Sequence, residues 1–155
     1  MGKYDTAKLR NLGIVAHGGA GKTSLIEQTL PRLKGKLRVA TVDGDIATSI
    51  DSDRAAAAGA GAAVQINTGG ACHLDAAMFQ SALPRLPLEE LDLLIVENVG
   101  NLVCPAEFDL GENDKTLLLS VSEGDDKPLK YPAVFRKSSV FIINKIDLLG
   151  MGTFN

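Results

Sequence analysis

The chain has 155 residues, a formal net charge of −3 and two cysteines, with a pI near 5.3. That length suits a single domain burying roughly 70% of its unfolded surface. The acidic balance leaves no basic footprint for nucleic acid, and no apolar run of about 18 residues offers a membrane span. The stretch from Met1 to Asn11 is polar rather than signal-like. The expected setting is therefore the reducing cytoplasm, where two cysteines serve as thiols or ligands rather than as a disulfide.

Six runs rich in Val, Ile and Leu read as strands: Leu12 to Val15, Leu37 to Val42, Ala62 to Ile66, Leu91 to Val96, Thr116 to Val121 and Val140 to Ile143. They do not alternate with polar residues, so burial on both faces is expected, as in a mostly parallel sheet covered by helices. Lys22 to Leu33 and Asp75 to Leu86 carry apolar residues at helical spacing. Ala55 to Ala63 is almost all Ala and Gly and suits a helix end followed by a turn. The fold class expected is α/β, a P-loop NTPase over residues 1–155. Only eight residues follow Asp147, where a nucleotide-binding sheet normally continues, so the domain reads as short at its C-terminal end.

The first strand runs into Ala16-His17-Gly18-Gly19-Ala20-Gly21-Lys22-Thr23-Ser24 and then a helix. Glycines let backbone N–H groups converge on phosphate oxygens, and the helix N-terminus adds its positive dipole end. Lys22 is placed to reach the β- and γ-phosphates and the Thr23 hydroxyl to bind Mg²⁺. Ala16 stands where the usual pattern has its first Gly. Asp43 and Asp45 lie just beyond the second predicted strand, at a first switch segment. Glu97 closes an apolar strand, where a charge has little reason to be unless it faces a ligand. Asp45 and Glu97 are the expected Mg²⁺ carboxylates, with Asp43 behind them. The alternative for each is a solvated strand-end acid. Gly100 would donate its N–H to the γ-phosphate, making Glu97 to Gly100 a second switch.

Asn144-Lys145-Ile146-Asp147 follows the last strand. Its Asp can accept from guanine N1–H and the exocyclic amine, which adenine cannot supply, so GTP and GDP are the expected nucleotides.

Cys72-His73 and Cys104 offer two soft thiolates and an imidazole, which suit Zn²⁺ or Ni²⁺. Adjacent residues in extended chain point to opposite sides. Three ligands from one chain therefore need an irregular turn, which Thr68-Gly69-Gly70 permits. Alternatively the ligands divide across a two-fold axis, or the thiols are ordinary buried cysteines.

From about Leu25 to Leu149 the chain resembles the nickel-incorporation accessory GTPases of hydrogenase maturation, the HypB family. The matching stretches are Val42 to Ile46, Gln65 to Gly69, Cys72 to Asp75, Glu97 to Pro105, Phe108 to Glu112 and Glu123 to Pro132. The resemblance implies a SIMIBI-type G domain, slow GTP hydrolysis and a GTP-dependent homodimer. It implies that Cys72, His73 and Cys104 bind Ni²⁺ or Zn²⁺ at the dimer interface. The implied partners are a small zinc-containing protein, HypA, and the hydrogenase large subunit. Lys127 and Lys130 fall in a matching loop and are expected to approach the nucleotide, either within the chain or across the dimer. Two departures stand out. Ala16-His17-Gly18-Gly19 replaces the family's Ser-Ser-Pro-Gly, and Leu9 to Glu27 is similar to the P-loop segment of translation elongation-factor GTPases. A translation-factor-like GTPase and a non-hydrolysing metal-binding scaffold or fragment are the alternative readings.

Overall fold

In the computed structural model, residues 8–45, 50–152 and 154 are described. Strands and helices alternate: β1 (Arg10–Ala16), α1 (Lys22–Leu33), β2 (Val39–Asp45), α2 (Ile50–Ala58), β3 (Ala62–Asn67), α3 (Ala76–Ala82) and β4 (Leu93–Glu97). After these come α4 (Cys104–Glu107), β5 (Asp114–Ser120), α5 (Lys127–Lys130), α6 (Pro132–Lys137) and β6 (Val140–Asn144). The strands form one sheet in the order β3-β2-β4-β1-β5-β6, and every pairing is parallel. This is the α/β arrangement expected from six unalternating apolar runs.

Side chains leave the two faces of β4 for different cores. Leu94 and Val96 join Val42, Val64, Leu74 and Phe79 on the α3 side, whereas Ile95 joins Ile14, Ile26, Leu30 and Ala55 under α1 and α2. A third cluster of Val15, Leu102, Ala106, Leu117 and Val134 seats α4 and α6. Helices therefore cover both faces, and the strand order reverses beside β1. Open α/β sheets bind ligands in the crevice beyond the strand C-termini at such a reversal.

Three sequence expectations need adjustment. Strand β2 runs through Asp45 rather than stopping at Val42, so Asp43 lies inside the sheet and not beyond it. The second predicted helix is α3 capped by Asp75, whose side chain accepts from the Met78 N–H, followed by a separate 3-10 turn at Leu83–Arg85. Pro84 lacks the N–H that would continue the α-helix. Strand β6 is an edge strand on which Val140, Phe141 and Ile143 stay 42–47% exposed. Its unbroken apolar run thus does not mean burial on both faces.

Candidate functional site

The phosphate loop is built by the end of β1 and the start of α1. Ala16 and Ala20 are fully buried against Leu118, which anchors both ends of the turn. Gly19 and Gly21 have φ of 81° and 99°, a left-handed conformation that a β-carbon disfavours. Gly21 precedes α1 with no side-chain cap, so the first N–H groups of the helix are left for an anion. From the far side, the Asn144 amide donates to the Ala20 carbonyl at 2.9 Å and Lys145 Nζ donates to the Gly19 carbonyl at 2.9 Å. A β-carbon on Gly21 would stand 2.6 Å from Asn144 Nδ2. The predicted base-reading tetrad thus clamps the predicted phosphate loop.

A cavity of about 430 Å³ opens at this point, lined by Gly18, Gly19, Gly21, Lys22, Thr23, Ser24, Asp45, Glu97 and Gly100. Glu97 is its electrostatic centre. Thr23 Oγ1 donates to Glu97 Oε1 at 3.0 Å, and Lys22 Nζ lies 3.7 Å from the same oxygen. Asp43 is the register partner of Glu97 across β2 and β4 and accepts from the Thr41 hydroxyl at 3.3 Å. Burial, reinforced by the charge of Glu97, pushes Asp43 up to about 7. Burial also raises Glu97, against the lowering pull of Lys22 and Thr23. One oxygen of each, Asp43 Oδ1 and Glu97 Oε2, is buried without a hydrogen-bond partner. A hard divalent cation beside Thr23 fits such a donor set.

Asp45 sits at the strand end on the cavity wall, only partly buried. Gly18 and Gly100 meet closely, since a β-carbon on Gly100 would lie 2.7 Å from Gly18 Cα. Asp147 is exposed in the 3-10 turn Ile146–Leu148. Beside that turn is a second cavity lined by Val121, Ser122, Gly124, Leu148 and Met151. Lys130 does not join the phosphate site. It is exposed and pairs with Asp126 at 2.5 Å, while Lys127 Nζ donates to the Glu123 carbonyl at 2.6 Å. Their short α5 turns both ammonium groups back on Asp126.

Four lining residues, Gly44, Asp51, Arg54 and Asn98, are not among the expected site residues. Arg54 of α2 reaches the cavity while forking onto Glu27 at 2.7 and 2.6 Å. Its spacing of three from Asp51 was the available signal. Asn98 is buried and lines the same wall. The expected first switch, Asp43 to Asp51, falls partly at 46–49, outside the described residues.

The thiols and the imidazole converge within one chain. Just beyond β3 the Thr68 N–H donates to the Asp45 carbonyl of β2 at 3.0 Å, and then the chain leaves the sheet. The Thr68 hydroxyl donates to the Ala71 carbonyl at 2.8 Å, and Gly69 and Gly70 take φ of 61° and 95°. This is the irregular turn that three ligands from one chain require. Cys72 Sγ then lies 2.8 Å from Cys104 Sγ and 3.7 Å from His73 Nδ1. All three ligand atoms fall within 4.8 Å of one another. The His73 ring stacks on Phe108 at 3.7 Å. The hydrogen bond with Cys72, followed by desolvation, raises the Cys104 thiol, and Asn101 acts in the opposite sense. Three donor atoms so placed could hold a metal ion.

The sequence profile of the CobW/HypB/UreG nucleotide-binding domain matches residues 11–154. The chain belongs to the CobW/HypB/UreG family. Within this family it is 53% identical over 147 residues to the hydrogenase maturation factor HypB of Escherichia coli K12, covering 95% of this chain and 50% of that one. The crystal structure of Helicobacter pylori HypB in complex with nickel superposes with a TM-score of 0.88 at 43% identity, covering 96% of this chain and 69% of that one. The fold extends to the signal recognition particle receptor FtsY of Elizabethkingia anophelis, with a TM-score of 0.59 at 19% identity over 93% of this chain and 53% of that one. That likeness is of fold alone. The chain spans about half the length of the curated HypB relatives it matches. Among the described residues, no helix is long and apolar enough to cross a membrane.

Proposed function

We propose that this chain is a metal-binding GTPase that assists nickel insertion into a hydrogenase, coupling its nucleotide state to an ion held by Cys72, His73 and Cys104. The observation that carries the reading is one of chain connectivity. The segment that lines the nucleotide cavity with Glu97, Asn98 and Gly100 reaches Cys104 four residues after Gly100, so the phosphate wall and one thiolate share a single short stretch of backbone. The nickel complex of the Helicobacter pylori relative supports Ni²⁺ as the cargo, while the sulfur and nitrogen donors accept Zn²⁺ as well.

GTP enters with its phosphates against Gly18 to Ser24. Lys22 carries positive charge to the β- and γ-phosphates, and the uncapped N–H groups of α1 hold the remaining oxygens. Thr23, Asp45 and Glu97, backed by Asp43, would hold Mg²⁺, which neutralises charge on the β- and γ-oxygens when bound. Gly100 donates its N–H towards the γ-phosphate, and Asp147 reads the guanine edge. Water attacks the γ-phosphorus, the bond to the β,γ-bridging oxygen breaks, and GDP and phosphate leave. At the other end of the segment, three protein ligands leave a coordination position for an incoming donor, so the ion can depart by ligand exchange. In this proposal the chain works as a homodimer in the cytoplasm, with HypA and the hydrogenase large subunit as partners.

Size-exclusion chromatography with metal analysis tests this reading, run with GDP, a non-hydrolysable GTP analogue and added Ni²⁺. The expected result is a metal-loaded dimer with the GTP analogue. A metal-free monomer under every condition would overturn it.

A further inference from the structure

Two arms of backbone carry the thiol–imidazole cluster, and both return to one buried amide. The first arm ends Cys72-His73-Leu74, and the Leu74 N–H donates to Asn98 Oδ1 at 3.0 Å. The second runs from Glu97 to Cys104, and its Val99 N–H donates to the same oxygen at 2.9 Å. Asn98 is itself fixed to the sheet, since its N–H donates to the Ile14 carbonyl at 3.0 Å. The residue is 4% exposed and belongs to the wall of the nucleotide cavity. A side-chain carbonyl has two lone pairs, and here one serves each arm.

The apolar side of the same node is equally close. Leu74 is fully buried, and its side chain lies on the backbone of Gly44, between Asp43 and Asp45. A β-carbon at Gly44 would stand 2.6 Å from Leu74 Cγ and 2.8 Å from both Cδ atoms. The residue after His73 is therefore held from above by the neighbour of Glu97 and from below by the neighbour of Asp43 and Asp45. A displacement of either carboxylate strand end reaches the imidazole through a close-packed contact, which cannot absorb it by compression.

We propose that Asn98 is the positioning residue that couples the nucleotide cavity to the metal cluster, setting Cys72-His73 and Cys104 in a common register through its single carbonyl oxygen. The proposal rests on the nucleotide–metal reading above and adds the residue through which it acts. Glu97 on one side of Asn98 and Gly100 on the other both line the phosphate cavity. Their response to a γ-phosphate shifts the amide between them, and with it the Leu74 N–H. By linkage, the factor by which nucleotide changes metal affinity is the factor by which metal changes nucleotide affinity.

The test is a titration of the full chain with Ni²⁺ alone, in GDP and in a non-hydrolysable GTP analogue, for the natural sequence, Asn98→Ala and Gly44→Ala. The natural sequence is expected to show Ni²⁺ affinities differing at least about 5-fold between the two nucleotide states. In Asn98→Ala the three metal ligands remain and both ligands still bind, but the ratio falls to within about 2-fold of unity. A merely structural lesion would weaken both affinities and leave the ratio alone. Gly44→Ala displaces Leu74 without removing a hydrogen bond, is expected to change the same ratio, and carries the test if Asn98→Ala does not melt cooperatively. A full ratio retained in folded Asn98→Ala, or in Gly44→Ala where that variant decides, overturns the role of Asn98. A ratio of unity in the natural sequence overturns the coupled-GTPase reading instead, and the role of Asn98 with it.

Discussion

Asp43 and Glu97 stand opposite each other on neighbouring parallel strands, both buried, and each keeps one carboxylate oxygen without a hydrogen-bond partner. Two such groups cannot both ionise cheaply in a site shielded from water. The arrangement fits the divalent cation proposed for this site, whose charge would offset theirs.

The pH dependence of stability should show this. Asp43 titrates near 7 in the folded chain against an ordinary value of 3.8. Between those values the folded protein holds a proton that the unfolded chain has released, so stability falls as pH rises from about 4 to about 7 and then levels off. The loss is on the order of 4 kcal/mol at most. Thermal melts of nucleotide-free protein at pH 5.5, 7 and 8.5 should show the decline, and Asp43→Asn should flatten it. Mg²⁺ affinity should move the other way, rising with pH through 7, because the bound ion requires the carboxylate.

Lys22→Ala removes the ammonium 3.7 Å from Glu97 and the charge presented to the phosphates. Turnover of GTP should fall roughly 100-fold or more, the scale for deleting one electrostatic stabiliser. Single-turnover phosphate release measures it. Ni²⁺ binding without nucleotide should persist, because no cluster ligand is altered.

Gly100→Ala should damage the triphosphate state selectively. Its β-carbon would fall 2.7 Å from Gly18 Cα and 2.9 Å from Gly18 N, and backbone atoms cannot swing aside as a side chain can. Overpacking of this kind costs about 1–3 kcal/mol. Affinity for a GTP analogue should drop more than affinity for GDP, as read by fluorescent nucleotide competition.

Cys104→Ala leaves Cys72 and His73 as a two-ligand site. Ni²⁺ or Zn²⁺ affinity should fall roughly 100-fold, about one ligand's share of a structural metal's binding free energy, while GDP affinity stays within about 2-fold. Competition with a chromogenic chelator reads the first and nucleotide titration the second. Unchanged metal affinity would remove Cys104 from the ligand set.

Asp147→Asn should shrink the preference for GTP over ATP by about 100-fold, because the carboxylate proposed to take both guanine donors would be gone. Competition of ATP against bound GDP provides the measurement.

Much of the fold was legible because its signals are local. The Gly-rich turn between β1 and α1, the unalternating runs of β1 to β5, and Asn144 to Asp147 each need only neighbouring residues to be recognised. The errors arose where local pattern meets long-range placement. Asp43 looked like a residue past a strand end, but β2 gains further residues by pairing along β3 through Asp45. Within one chain the short α5 pairs Lys130 with Asp126, a contact that its expected approach to the nucleotide would have to exchange. The exposed face of β6 was invisible for the same reason, since an apolar run does not say whether a strand has one neighbour or two.

The sequence by itself determined the Gly-rich loop, the Asn-Lys-Ile-Asp tetrad and the supply of two thiols and an imidazole, because side-chain chemistry and short spacing are written in the chain. Only the tertiary structure decided that Cys72 and Cys104, 32 residues apart, meet at 2.8 Å within one chain, that Asp43 faces Glu97, and that both arms of the cluster hang from Asn98. Those relations follow from strand order and register. Register is fixed collectively by the burial of whole strand faces, so no single segment carries it.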